Sequence, residues 1–302
     1  MERKEFLQRR RSGIGGSDIA AIARLSPWRS PADVYLDKLG LKPEEEEEDA
    51  PAPVGRSAAL YWGSALESEL RKAYTAVTGR RVMRYNRLLR DKIHPYFIGD
   101  VDALAYCEDG RQPFNMRTGE VWTDKGMEFK TARMMGDEWG EEGSDAIPMQ
   151  YICQVQWYMG LMPTVQSFDV AVLFGGSKFS IYTVRRSDLI IRRLREIAFD
   201  FWRNHVEKQI PPDPMTMEEV AALWQSTPLS SIAASSEIDR ACRQLTRYNR
   251  HAAKVESYTA DLRNRIAVYM RDNEALIGEA GELLATYKTS KNGRRILLLK
   301  NK

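Results

Sequence analysis

The triplet Glu128-Phe129-Lys130, inside "KGMEFKTARMM", sets a carboxylate and an ammonium two residues apart in an apolar run. If that run is a strand, both side chains share one face of a sheet. Such a pair serves either as a salt bridge or as part of a metal-dependent site. The triplet does not choose between them, because Glu2-Arg3-Lys4 repeats the pattern in the basic N-terminal tail. Its company adds weight. Asp100 and Asp102 lie upstream in "GDVDAL", two apart on one expected strand face, and a carboxylate inside a sheet is costly unless paired or bound to a metal. Carboxylates converging without Cys or His suit a hard cation such as Mg2+ or Mn2+. Magnesium beside a lysine fits phosphodiester hydrolysis: the ion polarises the phosphoryl oxygen and helps ionise water, and lysine supplies a movable positive charge. On Asp102, Glu128 and Lys130 alone, a catalytic centre and a structural salt-bridge cluster are about equally supported. The histidines, His94, His205 and His251, are scattered, which argues against zinc and against His-based nucleophilic catalysis.

The surrounding pattern supplies the elements to hold these groups. "SGIGGSDIAAIARLSPW" reads as a glycine-rich turn opening a helix, with Ser17 or Asp18 as its cap, and "SPADVYLDKLG" as a second helix. "LYWGSALESELRKAYTAVTG" has apolar residues at helical spacing and carries Glu67, with Arg71 at i+4 as an ordinary partner. Strand-like segments follow in "RRVMRYNRLLR", "PYFIGDVDALAYC" and "EVWTDKGMEFKTA". "DAIPMQYICQVQWYMGLM" is helical, so Gln154 and Tyr158 share a face. "VQSFDVAVLFGGSKFSIYTVRR" is a hairpin turning at Gly175-Gly176, and a long helix spans about 187–208 before "IPPDP" stops it.

The C-terminal third differs. Ile238, Leu245, Ala252 and Ile266 recur at one heptad position and Ala241, Tyr248, Val255, Leu262 and Tyr269 at another, predicting a long helix with a narrow apolar seam. Its other side bears Arg240, Arg243, Arg247, Arg250 and Lys254, either a solvated face or a phosphate-contacting one. "ATYKTSKNGRRILLLK" closes as a hairpin at Asn292-Gly293.

Composition excludes little but helps. The 302 residues carry 29% charged side chains and a net charge of +3, so only local charge could signal nucleic acid. Three widely spaced cysteines, Cys107, Cys153 and Cys242, form no metal pair or disulfide framework and suit a reducing compartment. No apolar run approaches a membrane span, and "MERKEFLQRRRSG" lacks a signal-peptide core; a soluble intracellular protein is expected. The "PEEEEEDAPAP" run reads as a solvated loop.

"GIGGSDIAAIARLSPW…SPADVYLDK", "WGSALESELRKAY", "GDVDAL", "MEFKTAR" and "YICQVQWYMG" together resemble, in order and spacing, the phage recombination nucleases of the YqaJ and lambda-exonuclease type, within the PD-(D/E)xK superfamily. The likeness covers roughly residues 10 to 210. It implies an α/β (α+β) fold, a mixed central sheet flanked by helices, here with a helical C-terminal extension and final β-hairpin: a nuclease core over 1–212 with its acidic loop at 43–53, and an extension over 213–302 packed on it. By the same resemblance Asp102, Glu128 and the Phe129 carbonyl hold the metal, with Val101 replacing a proline often found there; Asp100, two residues from Asp102 on the same expected strand face, stays open as an accessory. Lys130 is the catalytic lysine, Glu67 completes the acidic cluster, and Gln154 and Tyr158 match a Gln-x-x-x-Tyr helix motif. Arg10 (or Arg9 or Arg11) and Ser17 match a pocket for the 5′-terminal phosphate, where a glycine turn and helix dipole add to anion binding; Arg133 either steers a phosphate or pairs with a nearby acid. The implied activity is Mg2+-dependent 5′→3′ digestion of double-stranded DNA ends to mononucleotides, with Mn2+ as a substitute. A homotrimer, a single-strand annealing partner and a phage or prophage gene in a bacterial cytoplasm are implied too. The alternatives are a structure- or sequence-specific endonuclease of the superfamily and a catalytically silent DNA-end-binding module.

Overall fold

A computed structural model describes residues 8–41, 53–54, 58–224 and 226–300. The Glu2-Arg3-Lys4 triplet and the acidic run over 43–52 lie outside these. The chain divides into two compact units, Met1–Gln225 and Ser226–Lys302.

Unit one is built on a mixed sheet. Its strands are β1 (Val82–Arg84), β4 (Ala103–Ala105), β5 (Lys125–Ala132), β6 (Ser167–Phe174) and β7 (Lys178–Arg185), in the order β1-β4-β5-β6-β7. Only β5 and β6 run parallel, with Glu128 beside Val170; the other pairs are antiparallel. A parallel pair needs a crossover, and the helix α4 (Met149–Leu161) lies between the two strands in sequence. Strands β2 (Leu88–Arg90) and β3 (Ile98–Asp100) make a separate antiparallel pair.

Strand alternation decides what each face sees. Met127 and Phe129 of β5 join Ala103, Ala171, Leu70 and Tyr74 in one apolar cluster; the last two belong to helix α3 (Ala58–Thr78). The larger core, on the other face, contains Phe168, Val170 and Val172 of β6 with Val155, Tyr158 and Met159 of α4. Glu128 and Lys130, at the alternate positions of β5, turn toward α4. Helices α1 (Gly16–Ile22), α2 (Pro31–Lys38) and α5 (Asp188–Phe201) complete the larger core, and α6 (Met217–Leu223) packs with α2.

Two glycines of "GIGG" are dictated by close approach rather than by a turn. A Cβ on Gly13 would stand 2.4 Å from the Tyr96 carbonyl oxygen, and one on Gly16 would stand 2.7 Å from the Tyr158 ring. Between them Ile14 docks alongside β3, its N–H donating to Tyr96 O and its carbonyl accepting from Ile98 N.

Three sequence expectations need correction. Asp100 and Asp102 do not share one strand: β3 ends at Asp100, a bend follows, and β4 begins in the other sheet at Ala103. The helix expected over 187–208 is α-helical to Phe201 and then passes into a π turn at Trp202–Val206. Ser17 is not a helix cap. Gly15 holds the N-cap position of α1, and Asp18 accepts its N–H.

Unit two consists of helix α7 (Ser236–Met270) followed by a sheet in the order β10-β9-β8: β8 (Ala275–Ile277), β9 (Leu283–Thr289) and β10 (Arg295–Leu299). Ser235 caps α7 by accepting from Ile238 N, and acidic Glu237 and Asp239 sit in the first turn, where the helix dipole favours them. The final hairpin is β9–β10; β8, too short for a clear period-2 signal, extends it to three strands.

Candidate active site

Alternation along β5 brings the acidic residue and the lysine of "MEFKTA" to one face, and the structure joins them: Lys130 Nζ lies 2.7 Å from Glu128 Oε1. The same oxygen accepts from Gln154 Nε2 at 2.6 Å, and Gln154 also donates to the Tyr158 hydroxyl at 3.0 Å. Gln154 and Tyr158 project from one face of α4, one turn apart. Glu128 is only 3% exposed. Its second oxygen, Oε2, is buried with no hydrogen-bond partner among the described residues.

Asp102 enters from the bend before β4. Its Oδ2 accepts from Phe129 N at 2.8 Å, just beyond the last paired residues of β4 and β5. In a strand a residue's N–H and C=O point to the same side, so the Phe129 carbonyl is directed toward that same gap. Glu67 stands at the margin, 3.6 Å from Arg84 and 3.9 Å from Arg71. The helical i+4 partner read from sequence is therefore present, with Arg84 of β1 added.

The cluster is over-supplied with negative charge. Burial, and then repulsion by Asp102, push the Glu128 carboxyl up to about 8 against the pull of Lys130. Asp102 is raised by burial, opposed by Lys130 and the Phe129 N–H. Burial and Asp102 also raise Asp100 and Glu67. Burial disfavours the Lys130 charge, but Glu128 and Asp102 outweigh it and hold the ammonium above its usual value.

A hard divalent cation fits this donor set. Glu128 offers an unpartnered buried oxygen, Asp102 and the Phe129 carbonyl are oxygen donors, and added positive charge would relieve the raised carboxyls. Among the described residues no three His, Cys, Asp or Glu side chains form a ready-made ligand group, so two carboxylates and a carbonyl are the core of the set; Glu67 is turned to its arginines. Magnesium, which keeps several waters, suits so sparse a set.

The N-terminal pair also meets: Arg10 Nη2 donates to Ser17 Oγ at 2.8 Å, and Arg10 is felt electrostatically by Asp100. Within the glycine-rich turn the Gly15 N–H is taken by Asp18 and the Ile14 N–H by the Tyr96 carbonyl. Arg133 lies just past β5, exposed, and makes no ion pair with Glu67, Asp102 or Glu128 among the described residues.

Sequence reasoning missed four participants. Tyr151 places its ring 5.2 Å from Lys130 Nζ, a cation–π contact; its i−3 position from Gln154 was the available signal. Asp18, Arg29 and Lys38 form a buried ionic knot: Asp18 is 2.7 Å from both Arg29 Nη1 and Lys38 Nζ, and Lys38 also donates to the Arg10 carbonyl. Nothing in local spacing announces a pair twenty residues apart.

A family model described as the YqaJ-like viral recombinase domain matches residues 5–162. The YqaJ protein of Bacillus subtilis (strain 168) is 32% identical over 207 residues, 68% of this chain and 57% of its own length; the chain thus spans 57% of that relative. Among solved structures, the alkaline exonuclease LHK-Exo of Laribacter hongkongensis is 16% identical, covering 68% of this chain and 93% of that one at a TM-score of 0.47. A phage-related exonuclease of Haemophilus somnus 129PT is 11% identical, covering 66% and 96%, at 0.40. With more than half of its length matched, and all the motifs from "GIGGSD" to "QVQWY" inside the match, the chain belongs to the YqaJ-like viral recombinase domain family.

Proposed function

We propose that this protein is a Mg2+-dependent 5′→3′ exodeoxyribonuclease that digests double-stranded DNA from its ends to mononucleotides, leaving a 3′ single strand for recombination by annealing. The observation that carries the reading is buried Glu128, held by Lys130 and Gln154, with one carboxylate oxygen left unpartnered. An unsatisfied buried acceptor is destabilising, and a cation at the Glu128 oxygen would offset that cost.

In this reading Asp102, Glu128 and the Phe129 carbonyl hold the ion, with Glu67 as an outer acid. The bound ion supplies Lewis-acid polarisation of the phosphodiester and a lowered pKa for water. Lys130 then orients the attacking water or donates to a phosphate oxygen. The Tyr151 ring and Glu128 restrict its ammonium to that side of β5. Gln154 fixes the Glu128 carboxylate, and Tyr158 fixes Gln154. Arg10 and Ser17 receive the 5′-terminal phosphate, the guanidinium as a planar donor and the hydroxyl beside it; Arg133 contacts the backbone further along. Mn2+ substitutes for Mg2+, and a homotrimer and a single-strand annealing partner belong to the same proposal.

The test is a digestion time course on linear duplexes labelled at either end, with and without a 5′ phosphate, beside covalently closed circles. Loss from the phosphorylated 5′ end, with circles intact and chelator-sensitive turnover, is expected. Cleavage of the circles would establish an endonuclease instead.

A further inference from the structure

Unit two has almost no core of its own. Met270 and Ala285 are its buried apolar residues among those described. The seam of α7 is open instead, with Ile238 54%, Leu245 61%, Tyr248 67%, Val255 64% and Leu262 54% exposed. Helices owe most of their stability in proteins to packing of an apolar face, and 35 residues of α7 leave that face uncovered. The exposed residues are not scattered. They keep a seven-residue period from Ile238 to Tyr269, longer than the roughly three to four heptads that mark a coiled coil.

We propose that the α7 seam pairs antiparallel with the α7 seam of a second copy of this chain. The volumes along the seam select both the occupant and the direction. With two helices antiparallel and centred between Ala252 and Val255, Ala252 faces the partner's Val255 and Tyr248 faces the partner's Thr259. Leu245 then meets the partner's Leu262, and Ala241 meets the partner's Ile266. Each small residue receives a larger one, as close packing requires. In a parallel pair Tyr248 would stack on its own copy and Ala241 and Ala252 on theirs, alternating overfilled layers with voids.

The flanks agree. In the antiparallel register Asn249 lies beside the partner's Glu256 and Gln244 beside the partner's Arg265, an uncharged amide with a charge in each case, and no like charges meet. The basic residues Arg240, Arg243, Arg247, Arg250 and Lys254 occupy the heptad positions opposite the seam, so pairing leaves them in solvent. Seven large seam side chains per helix, at about 100 Å² each, approach the ~800 Å² per partner of a specific interface.

The mass of the full-length protein in solution tests the pairing, and cysteine crosslinking tests its direction. Substituting Leu245→Glu with Leu262→Glu should lower the mass about twofold, whatever assembly unit one forms; an unchanged mass overturns the proposal. In a background with Cys107 and Cys242 replaced by Ser, Ala241→Cys chains co-expressed with Ile266→Cys chains should oxidise to a mixed disulfide dimer. The Ala241→Cys protein alone should stay uncrosslinked. Self-crosslinking of Ala241→Cys would establish a parallel pair, and no crosslink in either case would remove the interface altogether.

Discussion

Asp18 and Glu128 are both buried carboxylates hydrogen-bonded to a lysine at 2.7 Å, yet their surroundings push them in opposite directions. Burial works against the Asp18 charge as it does for Glu128, but Lys38, Arg29 and Arg10 overcome it and hold the carboxyl down at about 2. Glu128 has one lysine and a competing Asp102, and rises to about 8. Asp18 uses both oxygens in ion pairs and also takes the Gly15 N–H, whereas Glu128 leaves one oxygen unpartnered. The lesson is one of charge balance: a knot with cations in excess fixes the chain, and a knot short of cations is prepared to receive one.

The largest effect should come from breaking the cation-rich knot. Asp18→Asn takes the 2.7 Å carboxylate from the Lys38 ammonium, whose side chain is 0% exposed, and leaves it Asp37 at 3.8 Å and the Arg10 carbonyl; loss of one partner of a buried pair costs about 3–5 kcal/mol. Urea unfolding of the metal-free protein measures it; a cost below about 1 kcal/mol, the range of exposed pairs, would show the knot to be dispensable. Lys130→Ala should do the reverse, leaving the fold and duplex-end binding intact while lowering Mg2+-dependent digestion about 10²–10³-fold. A variant digesting linear duplex at the parental rate would remove the Glu128 cluster from the chemistry.

The pH dependence of stability separates the two acids by sign. Asp18 is lowered from 3.8 to about 2, so its contribution of about 2 kcal/mol is present above pH 3.8 and lost as pH falls through 2. Glu128 is raised from 4.5 to about 8; the stability of its proton-bound form is present below 4.5 and lost as pH rises through 8. Metal-free unfolding should therefore lose its decline between pH 4.5 and 8 in Glu128→Gln and keep the rise between pH 2 and 3.8. An unchanged decline between pH 4.5 and 8 would place that titration elsewhere. The smallest effect is at the N-terminal pair: Arg10→Ala should reduce the preference for 5′-phosphorylated ends about tenfold, the loss of one charge-assisted contact, with a preference unchanged from the parent as the contrary result.

Much of this arrangement was legible in the sequence because its signals are local. Period-2 spacing put Glu128 with Lys130, period-3.6 spacing put Gln154 with Tyr158, and the ordered motifs carried the family. The heptads of α7 likewise announced a helix with an apolar seam. Illegible were the features that depend on distant neighbours. The bend at Asp102 is a matter of two different sheets competing for one segment. The buried state of Lys38 requires Asp18 and Arg29 to arrive together, and a solvated lysine has the same local sequence. "GIGG" reads as a turn because glycine is most often placed for backbone freedom, whereas Gly13 and Gly16 are required by the Tyr96 carbonyl and the Tyr158 ring.

That contact between Gly16 and Tyr158 also sets an order of events during synthesis. The helix bearing Tyr158 emerges roughly 140 residues after the glycine, which at about 5–20 residues per second is a delay of about 7–30 s. Throughout that interval Ile14, Ile19 and Ile22, all destined for the core, have no α4 to pack against. The segment carrying Arg10 and Ser17 can dock on its final neighbours only after the strand carrying Glu128 and Lys130 has been made. On the ribosome, the oldest part of this unit is therefore among the last to settle.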